Sequence, residues 1–213
     1  QNTGMPKEGS SWRGEQLTYL AKILHARNSS DEFLNLINLA KSELNESSEF
    51  EDAKNSSKKK NIELLYKEFD RQRKIDPKLV TNLARAKSQG YESWQQAKKN
   101  SNFEIFLPYF EKLIILRREE ANQLSDKLSP WETLAQPYEP DITKDWLFNI
   151  FNPLKESIPS MLQKIKEVDN KKWDIDSSAQ KVLCNKLLDN FGRDENLVAI
   201  AESPHPFSIT LGP

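Results

Sequence analysis

The sequence predicts a mainly α-helical protein: a multi-helix domain of long antiparallel helices, with one or two short β-strands at its C-terminal end. Three observations carry this. Apolar residues recur at the 3.6-residue spacing of a helix face between Leu17 and Leu187. Helix start signals stand in front of those stripes, among them Asp76-Pro77, Ser129-Pro130 and Thr143. Runs of β-type residues occur only in the tail, at 197–200 and 207–211, on either side of Ser203-Pro204-His205-Pro206.

In chain order, Ser10 and Ser11 precede a helix whose inward face is Leu17, Leu20, Ala21 and Leu24. Ser30 caps the next helix, and Asp31 and Glu32 oppose the helix dipole favourably in its first turn. Its core face is Phe33, Leu36, Ile37, Ala40 and Leu44. Ser48 and Glu51 have capping-box spacing. A long helix with a wet face comes next, carrying Ile62, Leu65 and Phe69, with an interruption near Asn55. Asp76-Pro77 restarts a helix, with proline at the first helical position. Gly90 should stop it, leaving a short helix over 91–99 that carries Trp94. The longest apolar stripe is Phe106, Phe110, Leu113, Ile114, Ala121, Leu124 and Leu128. Pro108 places its start near Leu107 or kinks it there. Ser129-Pro130 opens a short helix, and Pro137 and Pro140 bracket a loop. Thr143 caps a helix through Trp146, Leu147, Ile150 and Phe151, which Pro153 breaks. Leu154, Ile158, Met161, Leu162 and Ile165 keep the period in a further helix around Pro159. The last helix covers 177–191, with Val182, Leu183 and Leu187 inward. No linker or repeat divides the chain, which reads as a single helical unit over 1–213 with a short β segment at about 197–211.

Composition excludes several function classes. The 213 residues hold 31 basic and 32 acidic side chains, a net charge of −1. No whole-protein field draws in nucleic acid or anionic lipid. Mean hydropathy is −0.75, and no apolar run approaches the ~20 residues of a membrane span. One cysteine, Cys184, forbids an internal disulfide and any multi-cysteine zinc site. Two histidines, His25 and His205, are too far apart for an HExxH zinc helix. Six scattered glycines form no phosphate-binding loop. Asn-x-Ser triplets at Asn28, Asn45 and Asn55 read as chance matches in a chain rich in Asn and Ser, and the composition is of cytoplasmic type.

Individual side chains have bland readings. Lys54, Lys58, Lys59 and Lys60 form a basic run without interleaved aromatics, read as a solvated helix face rather than a phosphate contact. Glu119 and Glu120 follow Arg117 and Arg118 and read as a solvent-facing ion-pair cluster. The five tryptophans, at 12, 94, 131, 146 and 173, read as core or helix-packing residues. Cys184 reads as a buried inert thiol. His25 closes the first helix, where a cation complements the dipole. For His205, held between two prolines, a structural and a functional reading both stand open.

Four groups of residues, in order, resemble the carboxypeptidase Taq family of metallocarboxypeptidases. They are Met5-Pro6 with Arg13, Gln16-Leu17 and His25; Trp94, Phe103, Phe106 and Pro108; Tyr138-Glu139-Pro140 with Thr143; and His205-Pro206-Phe207, similar to the family's His-Pro-Phe motif. The resemblance implies that Met5, Pro6, Arg13, Gln16, Trp94, Phe106 and Tyr138 are structural motif positions. It implies that His205, Pro206 and Phe207 line the substrate cleft. In the family an Asp-x-Arg-x-Thr strand, an HExxH helix and a later glutamate ligand come after that motif. None of them lies within these residues, so the resemblance implies an N-terminal-half fragment of a larger zincin-like carboxypeptidase.

The chemistry that the resemblance implies is metal-dependent hydrolysis. The complete enzyme would use zinc or another divalent metal to remove C-terminal residues from peptides. In such sites two histidines and a glutamate hold the metal and its water, and the motif glutamate is the general base. This chain has no catalytic residue and no metal ligand of that kind, and alone it should be inactive. The expected partners are a peptide substrate and a second copy in a homo-oligomer, with no nucleic acid and no membrane. The competing reading is a stand-alone helical interaction domain without catalysis, because a fold does not specify a function.

Overall fold

The computed structural model describes residues 7–46, 53–125, 127–165, 175–194, 196–198 and 200. The chain divides into two units between Thr143 and Lys144. The first contains α1 (Ser10–Asn28), α2 (Asp31–Glu46), α3 (Ala53–Arg73), α4 (Pro77–Lys99), α5 (Leu107–Leu124) and α6 (Pro130–Ala135). The second contains α7 (Lys144–Lys164) and α8 (Ser177–Asn190).

α4 is the central helix of the first unit. Asp76 caps it, its carboxylate accepting from the Lys78 N–H at 2.6 Å, and Pro77 occupies the first turn as the sequence requires. Leu79 is 2% exposed and packs with Ile75, Leu83, Ala86 and Leu116. Val80, Leu113 and Leu124 close this core from the side. Gly90 does not stop the helix, which runs on to Lys99. A Cβ at Gly90 would stand 3.0 Å from Leu113 Cδ1 and 3.9 Å from Phe106 Cε2. The glycine therefore lets α5 close onto α4. It is a packing residue rather than a terminator.

The same constraint corrects α1. Its buried face is Gly14, Thr18 and His25, with Leu17 and Ala21 half-buried. The expected core residues Leu20 and Leu24 are 54% and 60% exposed. α1 meets α4 so closely that a Cβ at Gly14 would lie 3.0 Å from Ser88 Oγ. Only a small-residue stripe fits there. The Thr18 hydroxyl is satisfied inside it by donating to the Gly14 carbonyl at 2.8 Å.

α2 and α3 form an antiparallel pair. Ser30 accepts from the Phe33 N–H at 3.1 Å, as a cap should. Ile37 and Phe69 are buried, and the Phe33 and Phe69 rings meet at 6.4 Å. Leu36, Ala40 and Leu65, expected inward, are exposed. α3 continues through Asn55 without interruption. α5 begins at Leu107 with Pro108 in its first turn. Ser129 and Glu132 form a complete capping box at α6.

In the second unit α7 continues through Pro153 and Pro159. Each proline removes one backbone donor. The apolar period does not change across them, so the helix keeps one face. α8 is capped by Asp176, which accepts from the Ser178 N–H at 3.0 Å. It ends in a Schellman turn at Gly192, φ +79°, with Arg193 N–H donating to Leu188 O at 3.1 Å and Gly192 N–H to Asp189 O at 3.0 Å. No described residue of α7 or α8 is buried. Val182, Leu183 and Leu187 are exposed, and so is Cys184, against expectation. No strand occurs among the described residues. Leu197 and Val198 instead donate to the Asp194 carbonyl in a turn, both at 3.0 Å. The expected strand over 207–211 lies outside the described residues.

Two substitutions test this packing by urea unfolding. Gly90→Val should cost ~1–3 kcal/mol by overpacking the α4–α5 contact, and wild-type stability would refute the close approach. Leu79→Ala should cost ~2–5 kcal/mol as a core truncation.

Candidate functional site

The described residues that carried the resemblance lie on α1, on α4 and around the start of α5 and the end of α6. Arg13 and Gln16 lie in the first turns of α1, where the Arg13 guanidinium donates to Gln16 Oε1 at 3.1 Å. Trp94, half-buried on α4, meets the Tyr91 ring at 5.7 Å, and Lys98 Nζ lies 5.5 Å from its centroid. Phe106 packs with Phe103 at 6.0 Å and Phe110 at 5.6 Å, beside Gly90 and so one helical turn from Trp94. Tyr138 follows α6 in a turn and is 83% exposed. Of the other tryptophans, Trp12, Trp131 and Trp146 are exposed rather than buried in a core, Trp12 by 70%. Met5, Pro6, Trp173, His205, Pro206 and Phe207 lie outside the described residues.

A polar cleft of about 340 Å³ opens between α1 and α4, lined by Ser10, Glu15, Arg85, Ser88 and Glu92 among others. Arg85 grips Glu15 with two parallel bonds, Nε to Oε1 at 2.9 Å and Nη2 to Oε2 at 3.0 Å. Those hydrogen bonds, and then the charge of Arg85, hold the Glu15 carboxyl below its ordinary value of 4.5. They raise Arg85 in turn. Neither a nucleophile poised against a base nor a histidine lines the cleft. It can hold polar groups but does not assemble acid–base chemistry.

A second cluster is buried. Glu120 is 6% exposed and faces two guanidinium groups: Arg117 on its own helix, in a short hydrogen bond, and Arg71 of α3 at 3.5 Å. Arg71 also donates to the Thr133 carbonyl of α6 at 3.3 Å. One carboxylate therefore joins α3 and α5, and Arg71 carries the link on to α6. Lys87 stands nearby, its ammonium pushed down by desolvation and by Arg117, against the opposing pull of Glu120. The sequence reading of Glu119 and Glu120 as solvent-facing holds for Glu119 alone. The missing signal was spacing: Leu113, Leu116, Glu120 and Leu124 share one helix face, which puts Glu120 on the apolar side. Arg71, distant in sequence, had no local signal.

His25 is likewise a structural residue. It is buried, with Nδ1 at 3.1 Å from Gln72 Oε1 of α3. Gln72 gives its Nε2 to Glu68 at 2.7 Å, which leaves its oxygen to face the His25 ring. Among the described residues no group of three or more His, Cys, Asp or Glu is disposed to hold a metal ion. No described helix is long and apolar enough to cross a membrane.

The sequence profile of the carboxypeptidase Taq (M32) metallopeptidases matches residues 1–213. The chain belongs to this family. Carboxypeptidase 1 of Bacillus subtilis is 28% identical over 218 residues, covering 98% of this chain and 42% of its own length. Thermostable carboxypeptidase 1 of Thermus thermophilus is 27% identical over 234 residues, with 100% and 44% covered. The BsuCP crystal structure superposes with a TM-score of 0.76 at 27% identity, over 91% of this chain and 39% of that one. A Pyrococcus furiosus carboxypeptidase shares the fold at a TM-score of 0.62 and 22% identity, over 91% of this chain and 39% of that one. The chain thus spans about two-fifths of the relatives it matches.

Glu120→Ala should destabilise by ~2–3 kcal/mol, because two cations lose their buried partner. Glu119→Ala should stay within ~0.5 kcal/mol. Equal effects in chemical denaturation would contradict the buried cluster. For Glu15 the sign follows from its lowered pKa: the Arg85 contact stabilises above the ordinary glutamate range and is lost as pH falls through the lowered value. Carboxyl-selective NMR should find Glu15 titrating below 4.5, and Arg85→Met should return it there.

Proposed function

We propose that this chain is the helical portion of a metal-dependent carboxypeptidase that removes C-terminal residues from peptides, and that alone it does not hydrolyse them. The match of the family over all 213 residues carries the reading. The relatives' names, carboxypeptidase 1 and thermostable carboxypeptidase 1, support the reaction class.

A metal of the complete enzyme, zinc or another divalent ion, would polarise the scissile carbonyl and supply an activated water. The described residues do not fit such an ion: His25 is committed to Gln72, and no ligand cluster accompanies it. No step of hydrolysis is therefore assigned to them. In this reading the metal ligands belong to parts of the enzyme outside the 213 residues, in one larger zincin-like unit. His205, Pro206 and Phe207 then lie near the substrate cleft, and a cytoplasmic setting suits the single free thiol.

The helical wall also has unpartnered surface. On α1, Trp12, Tyr19, Leu20, Ile23 and Leu24 form an exposed apolar face, the kind of surface that marks an interaction site. The rest of the enzyme, or a second copy in a homo-oligomer, is its proposed cover.

The purified chain, supplied with zinc and a peptide, should release no C-terminal amino acid above a chelator-treated control. Robust chelator-sensitive release would overturn the inactivity. In a complete homologue, substituting alanine for the histidine aligned with His205 should lower kcat/KM. An unchanged value would refute a cleft role. Sedimentation should show self-association that rises with concentration; a strict monomer would favour burial against the rest of the enzyme.

A further inference from the structure

We propose that the groove between α2 and α3 is a docking site for an acidic amphipathic peptide helix. The observation is an apolar floor with a cationic rim. Ile37 and Leu44 of α2 and Ile62 and Tyr66 of α3 line a groove of about 410 Å³. Lys41, Lys59 and Lys67 stand around it. The groove continues past Leu44 and Ile62 into a neighbouring depression bordered by Lys58 and Glu43.

Charge decides the occupant. Glu63 is the acidic residue of the main groove, and Lys60 pairs with it at 3.7 Å. Lys41, Lys59 and Lys67 form no ion pair with any described carboxylate. Among the described residues the groove therefore offers three cations without an ion-pair partner around aliphatic and aromatic surface. An apolar ligand alone would leave them unused. A fully ionic ligand would leave the floor wet.

Geometry selects a helix. Ile37 and Leu44 are seven residues apart on α2, two turns of one face, about 10 Å at 1.5 Å per residue. Lys59 and Lys67 frame the opposite wall about 12 Å apart by the same rise. A partner helix with apolar anchors at i, i+4 and i+7 spans the floor, and Asp or Glu beside those anchors reaches the lysines. The basic run that composition alone gave to solvent thus acquires a use in Lys58 and Lys59. The proposal does not depend on the catalytic reading.

The test is fluorescence anisotropy with the full chain. The probe is a labelled helical peptide of about 14 residues, about 21 Å long, with leucines at i, i+4 and i+7 and glutamates beside them. Saturable binding that weakens with salt is expected. The K41E/K59E/K67E variant should weaken it at least about tenfold with an unchanged circular-dichroism melt, since all three lysines are exposed. Tyr66→Ala should weaken it with the salt dependence retained. Equal binding of a peptide with lysines in place of the glutamates would overturn the proposal. So would indifference to the triple variant, or binding only to phosphatidylglycerol vesicles. Self-association lost in the triple variant, without peptide binding, would assign the groove to a second copy and also overturn it.

Discussion

The first unit depends on how closely α4 lets its neighbours approach. Two glycines set that distance. Gly14 brings α1 against Ser88, and Gly90 brings α5 against α4 through Leu113. Helix pairs normally stand 8–10 Å apart according to the side chains between them. Glycine inside a helix costs up to ~1 kcal/mol relative to alanine. That cost is accepted where close contact returns more. The approach on one side buries Thr18; on the other it seals Leu79, Leu83 and Leu116. One consequence is geometric. With its small stripe inward, α1 must carry Trp12, Tyr19, Leu20, Ile23 and Leu24 on the other side.

Apolar packing of this kind is tolerant of small slides and rotations. The polar contacts are not. Glu120 reaches Arg71 of α3 and Arg117 of α5, and Arg71 goes on to Thr133 of α6. Desolvating such charges offsets much of their attraction, so the cluster adds little net stability over an apolar replacement. Its effect is direction: a misplaced helix would strand a charge inside the protein. The His25–Gln72 bond does the same for α1 and α3. The Asp76 N–H, which donates to Gln123 Oε1 at 2.7 Å, does it for α4 and α5. Each link joins helices from distant stretches of sequence.

That division explains what could be read in advance. Helix starts were legible because caps are local chemistry: Ser30, Asp76 and Ser129 all accept from backbone N–H groups within three residues. Faces were legible where bulky residues turn inward, as at Ile37 of α2 and Phe69 of α3. On α1 the rule that large apolar residues mark the core pointed one position away, because the partner helix admits only small ones. Gly90 was misread for the same reason, since a glycine that permits contact is identical in sequence to one that ends a helix. Pro153 misled because a proline costs one hydrogen bond, while the apolar stripe running past it is a longer signal. The family resemblance was legible in short motifs, and the family profile matches the whole chain. Trp94 and Phe106 support the α4–α5 corner, and Arg13 and Gln16 lie at the start of α1.

The uncovered faces connect fold to function. α7 and α8 are amphipathic in sequence, yet none of their described residues is buried. Helices of 21 and 14 residues are marginal when isolated in water, because most helical stability comes from packing an apolar face. Such faces need a cover. The chain spans about two-fifths of the relatives it matches, and under the proposed function the rest of such an enzyme, or a second copy, is that cover. The groove between α2 and α3 differs in kind. A core partner would meet its floor with leucine and isoleucine and would desolvate Lys41, Lys59 and Lys67 without return. Cations left unpaired around apolar surface suit a partner that brings its own carboxylates. On the two proposals, the bare apolar faces go to the rest of the enzyme or a second copy, and the lysine-rimmed groove to a separate acidic ligand.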